Sequence, residues 1–232
     1  MAPEFDALAP DYDAALHDPW RTRFADNADF FIDQKCRAMV REVERRNGRA
    51  GVSCTALDVG CGRGPAVRFL RPAWKTFGAD ISTEMLREAP KSLPLVAQEP
   101  LRLPFADDVF DVVFAFCVYH HIPREQHLEH FRELVRVARP GGFVFVFEHN
   151  PFNPVTQVIF RRAPIDQGCR MLPPGELRGL FERTRLSEIG TGYVLFFPQG
   201  LAAKIAGLED ALRRVPLGGQ YFVAGRKLAH QR

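Results

Sequence analysis

A glycine-rich loop and two aspartates are the first residues in this sequence whose types and spacing could do chemistry. The loop is Gly60-Cys61-Gly62-Arg63-Gly64, with Asp58 just before it and Asp80 at the end of the next predicted strand. Glycines let the backbone approach a ligand, and a helix that begins at Pro65 adds free amide donors. An acid before the loop suits a ligand with an ammonium group, and Asp80 can accept hydrogen bonds from both ribose hydroxyls.

This loop differs from the fingerprint of dinucleotide-binding enzymes. That fingerprint, Gly-x-Gly-x-x-Gly, requires a glycine where this chain has Pro65, and Asp58 would be a poor neighbour for a pyrophosphate. A nucleotide-dependent oxidoreductase is therefore a disfavoured interpretation. A protein that binds its cofactor without catalysis stays open as a further alternative.

Histidines at predicted strand ends are the candidates for proton transfer. His120 and His121 close the fourth strand, and His149 closes the fifth across the same cleft. Because imidazole exchanges protons near neutral pH, we expect His149 and His121 to be catalytic, with a structural role for His121 as the alternative. His127 and His130 have a spacing that could bind a metal, but a solvated helix face is favoured and no metal is predicted.

Strands that alternate with helices must position these residues. The chain to about Gly51 is predicted helical because apolar residues recur every three to four positions. The pattern predicts an α/β fold: a Rossmann-like, doubly wound seven-stranded sheet, mostly parallel with an antiparallel edge pair. Ligands of such sheets bind beyond the carboxyl ends of the strands. Strands are predicted at 55–59, 75–80, 95–97, 109–117, 143–147, 193–197 and 220–225, helices at 66–70, 83–89, 124–138, 155–161, 176–184 and 201–213, and a turn at 139–142.

Four segments resemble motifs of the class I S-adenosylmethionine-dependent methyltransferases, in particular small-molecule domains of the type 11 and type 25 kind. Residues 56–64 resemble the first motif, 77–86 the second-strand motif, 103–113 with 119–121 the fourth-strand motif, and 139–142 the turn before strand five. The resemblance implies S-adenosylmethionine as cofactor, S-adenosylhomocysteine as its product, and methyl transfer as the activity.

The resemblance also implies which residues bind the cofactor. Asp58 and Gly60 would hold its methionine moiety, Asp80 its ribose, and Glu99 its adenine amino group. Because a proline follows Glu99 and has no N–H to offer the adenine ring, Leu101 is expected to supply an amide instead. The expected cofactor-binding set is Tyr12, Asp58, Gly60, Cys61, Gly62, Asp80, Ile81, Glu99, Leu101 and Phe116.

The segment after the fifth strand is expected to form the acceptor pocket, as insertions there do in the family; a plain amphipathic connector is the alternative. Phe5-Asp6 and Tyr12-Asp13 resemble the family's N-terminal segment that folds over the cofactor, while an ordinary surface aromatic is the alternative for Tyr12. The expected substrate-binding residues are His120, Asn150, Phe152, Phe160 and Arg161. One methyltransferase domain is expected over 1–232, with a helical lid at 1–51, a cofactor-binding core at 52–150, an acceptor-side insertion at 151–192 and C-terminal strands at 193–232.

Composition limits the class of protein and its partners. The 232 residues are 46% hydrophobic, enough for a buried core, and the net charge of +3 is spread along the chain, so no nucleic-acid partner is predicted. Five cysteines without a Cys-x-x-Cys pair indicate reduced thiols and a cytoplasmic location. Residues 1–13 are acidic and contain no apolar run, so no signal peptide is expected there, and the lack of an apolar run of ~20 residues predicts no membrane span.

These observations combine into one expected function. The chain is predicted to transfer a methyl group from S-adenosylmethionine to an oxygen or nitrogen atom, less favourably a carbon, of a small metabolite such as a sugar or natural-product intermediate. It would act as a monomer or homodimer.

Overall fold

The described residues form one seven-stranded sheet with helices on both faces. The structure is a computed structural model, and it describes residues 2–12, 19–70, 74–202 and 204–229. The sheet order is β3-β2-β1-β4-β5-β7-β6, with β1 to β5 parallel and β7 antiparallel to both of its neighbours. This confirms the predicted Rossmann-like sheet with its antiparallel edge pair. The strands are β1 (Thr55–Val59), β2 (Lys75–Asp80), β3 (Leu95–Ala97), β4 (Phe110–Phe116), β5 (Ala138–His149), β6 (Leu186–Val194) and β7 (Gln220–Lys227).

Helices connect the strands and cover both faces of the sheet. In chain order they are α1 (Ala2–Leu8), α2 (Pro19–Phe24), α3 (Ala28–Asn47), α4 (Pro65–Leu70), α5 (Thr83–Glu88), α6 (His127–Val137), α7 (Pro154–Arg162), α8 (Pro174–Glu182), α9 (Gln199–Ala202) and α10 (Ala206–Leu212). Single 3₁₀ turns lie at Ala9–Asp11, Tyr119–His121, Arg124–Gln126 and Pro164–Asp166. Of the N-terminal motifs, Asp13 lies outside the described residues.

Strand β4 shows why its sequence is apolar without alternation. Val113 and Ala115 pack on one face of the sheet, in a cluster with α6 and α8. Val112 and Phe114 pack on the other face, in a cluster with α3 and α4. Because a central parallel strand is buried on both sides, both sets of side chains must be apolar.

Strand β5 is longer than predicted. The sequence placed it at 143–147 after a turn at 139–142, whereas the strand extends over Ala138–His149. The glycines remain necessary, since Gly141 has φ +77° and a Cβ on Gly142 would lie 2.9 Å from the carbonyl oxygen of Arg139. The residues predicted as a turn therefore form an irregularity inside the strand, where the pairing with β4 changes register.

Two C-terminal boundaries were also predicted wrongly. Strand β6 is Leu186–Val194 rather than 193–197, and it ends because Leu195 takes a left-handed backbone conformation with φ +64°. The predicted helix 201–213 is replaced by the short helices α9 and α10. Ile205, with φ −131°, is not helical and precedes the second of them.

Candidate active site

A cavity of about 650 Å³ opens at the carboxyl ends of the parallel strands. Most of the residues predicted for catalysis and cofactor binding line it, together with the predicted substrate residue His120, although they come from distant parts of the chain. Those residues are Tyr12, Asp58, Gly60, Cys61, Gly62, Asp80, Ile81, Phe116, His120, His121 and His149. The topology explains this gathering, because parallel strands bring their carboxyl ends to one edge of the sheet.

The glycine-rich loop follows β1 and depends on backbone conformations that glycine adopts readily. Gly60 has φ +75°, and a Cβ there would lie 2.5 Å from Cγ2 of Val118. Gly62 has φ +54°, and a Cβ there would meet no other atom within 4 Å, so its Cα faces open space. The amide of Gly62 donates to Oδ2 of Asp80 at 2.7 Å, which ties the loop to the end of β2.

Asp58 is the residue that best fits a cationic ligand group. Its side chain is buried, and its Oδ1 atom has no hydrogen-bond partner among the described residues. Burial, together with the nearby carboxylate of Asp80, raises the pKa of Asp58 to about 8, although Lys35 acts in the opposite direction. Because an unpaired buried carboxylate is costly, an ammonium group in the cavity would relieve this arrangement. The methionine moiety of S-adenosylmethionine carries such a group.

Asp80 links the loop to the N-terminal segment. Besides the Gly62 amide, its carboxylate accepts a hydrogen bond from the amide of Ser82 at 2.8 Å. The Ser82 hydroxyl donates in turn to Oδ1 of Asp6 at 2.6 Å, which fixes α1 beside α5. Phe5 and Tyr12 then line the cavity from this side. The N-terminal segment therefore covers the end of the cavity that contains Asp80.

The residues after β3 lie differently from the prediction. Glu99 is exposed, and neither Glu99 nor Leu101 lines the cavity. Gln98 lines it instead, and its buried Oε1 has no hydrogen-bond partner among the described residues. Sequence reasoning missed Gln98 because it chose the acid at the next position. Neighbouring side chains at the end of a strand point in different directions, so an error of one position places the wrong residue in the cavity.

His120 is held between two carboxylates. Its Nδ1 atom lies 2.7 Å from Oε2 of Glu148, and its Nε2 atom lies 3.3 Å from Oδ1 of Asp166. Burial favours the neutral imidazole, but Glu148 and Asp166 outweigh it and raise the pKa of His120 to about 10. For Glu148, burial is likewise overcome by His120, and the pKa falls to about 2. The group is therefore an imidazolium with two ionised partners.

His121 and His149 present neutral imidazoles to the same cavity. Burial, reinforced by the positive charge of His120, lowers the pKa of both to about 4. The ring of His149 lies 5.2 Å from that of His120 and 5.3 Å from that of Phe160, and its nitrogens make no hydrogen bond to a described residue. Neutral imidazoles can accept a proton, so both histidines remain candidates for a general base.

The predicted substrate residues after β5 divide into different roles. Asn150 is buried and donates from Nδ2 to the carbonyl of Gly218 at 2.8 Å, so it holds a loop. Phe152 is 63% exposed, and neither it nor the exposed Arg161 lines the cavity. The ring of Phe160 packs against the rings of His120 and His149. The segment instead lines the cavity with Asn153, Val155, Thr156, Ile159, Ala163, Ile165 and Asp166.

His127 and His130 are buried, so the expectation of a solvated helix face was wrong. Nε2 of His127 lies 2.9 Å from the carbonyl oxygens of Tyr119 and Ile122, and Nδ1 of His130 lies 3.1 Å from the Tyr119 hydroxyl. The polar face of α6 packs on the 3₁₀ turn that contains the cavity histidines. These two residues support that turn.

Two further cavity residues were missed by sequence reasoning, Lys35 and Asp166. The buried Nζ of Lys35 lies 3.7 Å from Sγ of Cys117 and 4.8 Å from the ring centre of Phe116. A lysine in an amphipathic helix usually lies on the exposed face, so its sequence position gave no signal. Asp166 lies within the expected acceptor-side insertion at 151–192, but it was not among the residues named for the site.

Comparison with known proteins supports the interpretation of this cavity as a methyltransferase site. Residues 57–146 match the family model described as a methyltransferase domain. The chain is 35% identical over 136 residues to the demethylmenaquinone methyltransferase of Mycobacterium tuberculosis. This alignment covers 57% of this chain and 56% of the relative. It is 32% identical over 124 residues to the trans-aconitate 2-methyltransferase of an Azoarcus species, covering 51% and 48%. The matched segments thus span about half the length of these relatives.

A solved structure from Thermotoga maritima, described as an S-adenosylmethionine-dependent methyltransferase and possible histamine N-methyltransferase, has the same fold. The superposition covers 98% of this chain and 100% of that one with a TM-score of 0.68, at 15% sequence identity. Loop, sheet order and family match agree: residues 57–146 match a methyltransferase domain, and the chain has the fold of the S-adenosylmethionine-dependent methyltransferases.

Proposed function

We propose that this chain transfers a methyl group from S-adenosylmethionine to an oxygen or nitrogen atom of a small metabolite. The observation that carries the proposal is the division of one cavity into two chemical halves. One half contains the glycine-rich loop and the unpaired oxygen of Asp58. The other half contains His120, His121 and His149.

The cofactor half would bind by matching charges and hydrogen bonds. Asp58 would pair with the ammonium group, and Asp80 would accept hydrogen bonds from the ribose. Gln98 would offer its unsatisfied Oε1 to a donor of the cofactor. When bound, S-adenosylmethionine supplies a methyl group already activated by the sulfonium. The ring of Phe116 would lie near that positive charge and attract it by a cation–π interaction.

The acceptor half would position the nucleophile and keep water away. Holding two reactants in line can lower a barrier by ~7–11 kcal/mol, so alignment is the main demand on the protein. We propose that His149 or His121, as neutral imidazoles, accepts the proton that the acceptor loses. Val155 and Ile159 would contact the apolar part of the acceptor from α7.

We also propose that four segments of the chain have different roles. Residues 1–51 would form a helical lid and 52–150 the cofactor-binding core. Residues 151–192 would form the acceptor side, and 193–232 would complete the sheet. The hydrogen bond between Ser82 and Asp6 supports the lid, since it joins the N-terminal helix to the core.

The experiment is a turnover assay that detects S-adenosylhomocysteine in the presence of candidate acceptors. The two relatives act, by their names, on demethylmenaquinone and on trans-aconitate. The panel therefore contains quinols, small carboxylic acids, amines and sugars with free hydroxyls. The proposal requires acceptor-dependent formation of S-adenosylhomocysteine, with loss of activity in Asp58→Asn. Tight cofactor binding without turnover on any acceptor would favour a binding protein instead.

A further inference from the structure

We propose that His120, His121 and Asp166 form a binding site for one divalent transition-metal cation of the zinc class. The three side chains line the cavity together, and their candidate ligand atoms all lie within 4.8 Å of one another. Two imidazoles with one carboxylate form a ligand set that zinc accepts in catalytic sites. No ligand atom comes from the cofactor half of the cavity.

The distances favour an ion between these side chains. Oδ1 of Asp166 lies 3.3 Å from Nε2 of His120 and 3.6 Å from Nε2 of His121. The second distance is too long for a hydrogen bond. Two ligands bonded to zinc at tetrahedral angles lie roughly 3.3–3.6 Å apart. Both nitrogens therefore already stand at a suitable separation from the carboxylate oxygen.

The outer nitrogens of both histidines are held in the manner that metal sites use. Nδ1 of His120 lies 2.7 Å from Oε2 of Glu148, and Nδ1 of His121 lies 3.3 Å from Sγ of Cys169. Metal-binding histidines commonly engage the nitrogen opposite the metal with such a partner, which fixes the ring and the tautomer. Each Nε2 atom is thereby directed towards Asp166.

Charge and access are consistent with the same inference. Asp166 and Glu148 together supply two negative charges, which match a divalent cation. On binding, the ion would replace the proton between His120 and Asp166, and that proton would leave to solvent. Three protein ligands leave a fourth position open to the cavity. On the proposed function, an acceptor oxygen would bind there; metal binding itself does not depend on that function.

The test uses Co²⁺ as a spectroscopic substitute for zinc, added to the purified 232-residue chain after treatment with a chelator. We expect one equivalent to bind, with the intense visible absorption of low-coordinate Co²⁺, and Zn²⁺ to displace it. His121→Gln and Asp166→Asn should each lower the affinity by roughly tenfold or more. His149→Gln is the matched control, since it removes a neighbouring imidazole outside the ligand set, and it should leave the affinity unchanged.

Two results would overturn the site. One is a wild-type spectrum that stays that of hydrated Co²⁺, which would mean that a proton alone occupies this place. The other is an equal loss of affinity in His149→Gln. Calorimetry with S-adenosylhomocysteine shows that each variant is folded. If the wild-type protein bound Co²⁺ as expected but did not bind S-adenosylhomocysteine, the proposed function would be contradicted and the metal site would not. Thermal unfolding would then show that the variants are folded.

Discussion

At the scale of single residues, the protonation state of Asp58 should control cofactor affinity. Burial and Asp80 raise the pKa of Asp58 to about 8, so its carboxyl is largely protonated at pH 6 to 7 in the free protein. An ammonium group binds the ionised form. The affinity for S-adenosylhomocysteine should therefore rise with pH and level off above 8, falling roughly tenfold for each pH unit below it.

Calorimetric titrations between pH 6 and 9 measure this dependence directly. Asp58→Asn is the control, because it keeps the shape of the side chain but cannot ionise. It should bind S-adenosylhomocysteine more weakly and without the rise in affinity. A wild-type affinity that is flat across this range would contradict the role given to Asp58.

The second prediction at this scale concerns the catalytic histidines. His149 and His121 have pKa values near 4, so both are neutral and able to accept a proton at pH 7. If His149 is the base, His149→Ala should lower turnover by roughly 10²–10⁴-fold and barely change S-adenosylhomocysteine affinity. His121→Ala is measured alongside, once an acceptor is known. A loss confined to His121→Ala would exclude His149 as the base and assign the effect to His121, as the base in metal-free protein or as a ligand of the proposed ion in metal-loaded protein. No loss in either variant would mean that alignment of the reactants alone accounts for turnover.

Residue types revealed much of the candidate site but not its electrostatics. Asp58, Asp80 and the three histidines could be named because strand ends meet at one edge of a parallel sheet. The two carboxylates beside His120 could not be predicted, because Asp166 lies in a 3₁₀ turn far along the chain. Its position depends on how α7 packs, which no local pattern encodes.

At the scale of elements, the glycine-rich loop should fail as a binding element when Gly62 is enlarged. Gly62 lines the cavity with φ +54°, and a side chain there would extend into space that we assign to the cofactor. Gly62→Val should abolish S-adenosylhomocysteine binding. Gly51→Val is a matched control: Gly51 also has positive φ, +67°, and open space around its Cβ position, but it does not line the cavity.

Both substitutions impose the same backbone strain, about 1–2 kcal/mol, which urea unfolding measures. Only Gly62→Val should lose the ligand, as followed by calorimetry. Equal affinity of the two variants for S-adenosylhomocysteine would show that the loop does not contact the ligand.

The cap of α7 is a second element with a specific prediction. Oδ1 of Asn153 accepts a hydrogen bond from the amide of Thr156 at 3.0 Å, and its Nδ2 donates to the carbonyl of Leu217 at 2.8 Å. Asn27 caps α3 in the same way, with a bond of 3.2 Å from the amide of Phe30, but its side chain makes no second hydrogen bond to any residue that the structure describes. Asn153→Ala should therefore lower the free energy of unfolding by about 2 kcal/mol and Asn27→Ala by about 1 kcal/mol. Chemical denaturation that gave the reverse order would show that the Leu217 contact contributes little.

The elements themselves were predicted best where the chain alternates in simple βα units. Strands β1 to β4 and their helices lie within a few residues of their predicted positions. The sequence failed at β6, because its length is set by antiparallel pairing with β7, and at β5, because an irregularity absorbs the predicted turn. Both features arise from contacts between strands rather than from local pattern.

At the scale of the whole molecule, the sheet order places one cavity between the N-terminal helices and the segment after β5. Lining residues come from positions as distant as Phe5 and Gln220. Among the described residues, no helix is long and apolar enough to cross a membrane. This cavity is an extended binding site whose cofactor half can be tested without knowledge of the acceptor.

The most direct measurement is a calorimetric titration of the purified chain with S-adenosylhomocysteine, compared with NAD under the same conditions. The account predicts saturable binding of S-adenosylhomocysteine at one site per chain and no measurable binding of NAD, because Asp58 attracts an ammonium group and disfavours a pyrophosphate. Binding of NAD, or no binding of S-adenosylhomocysteine between pH 8 and 9, would contradict it.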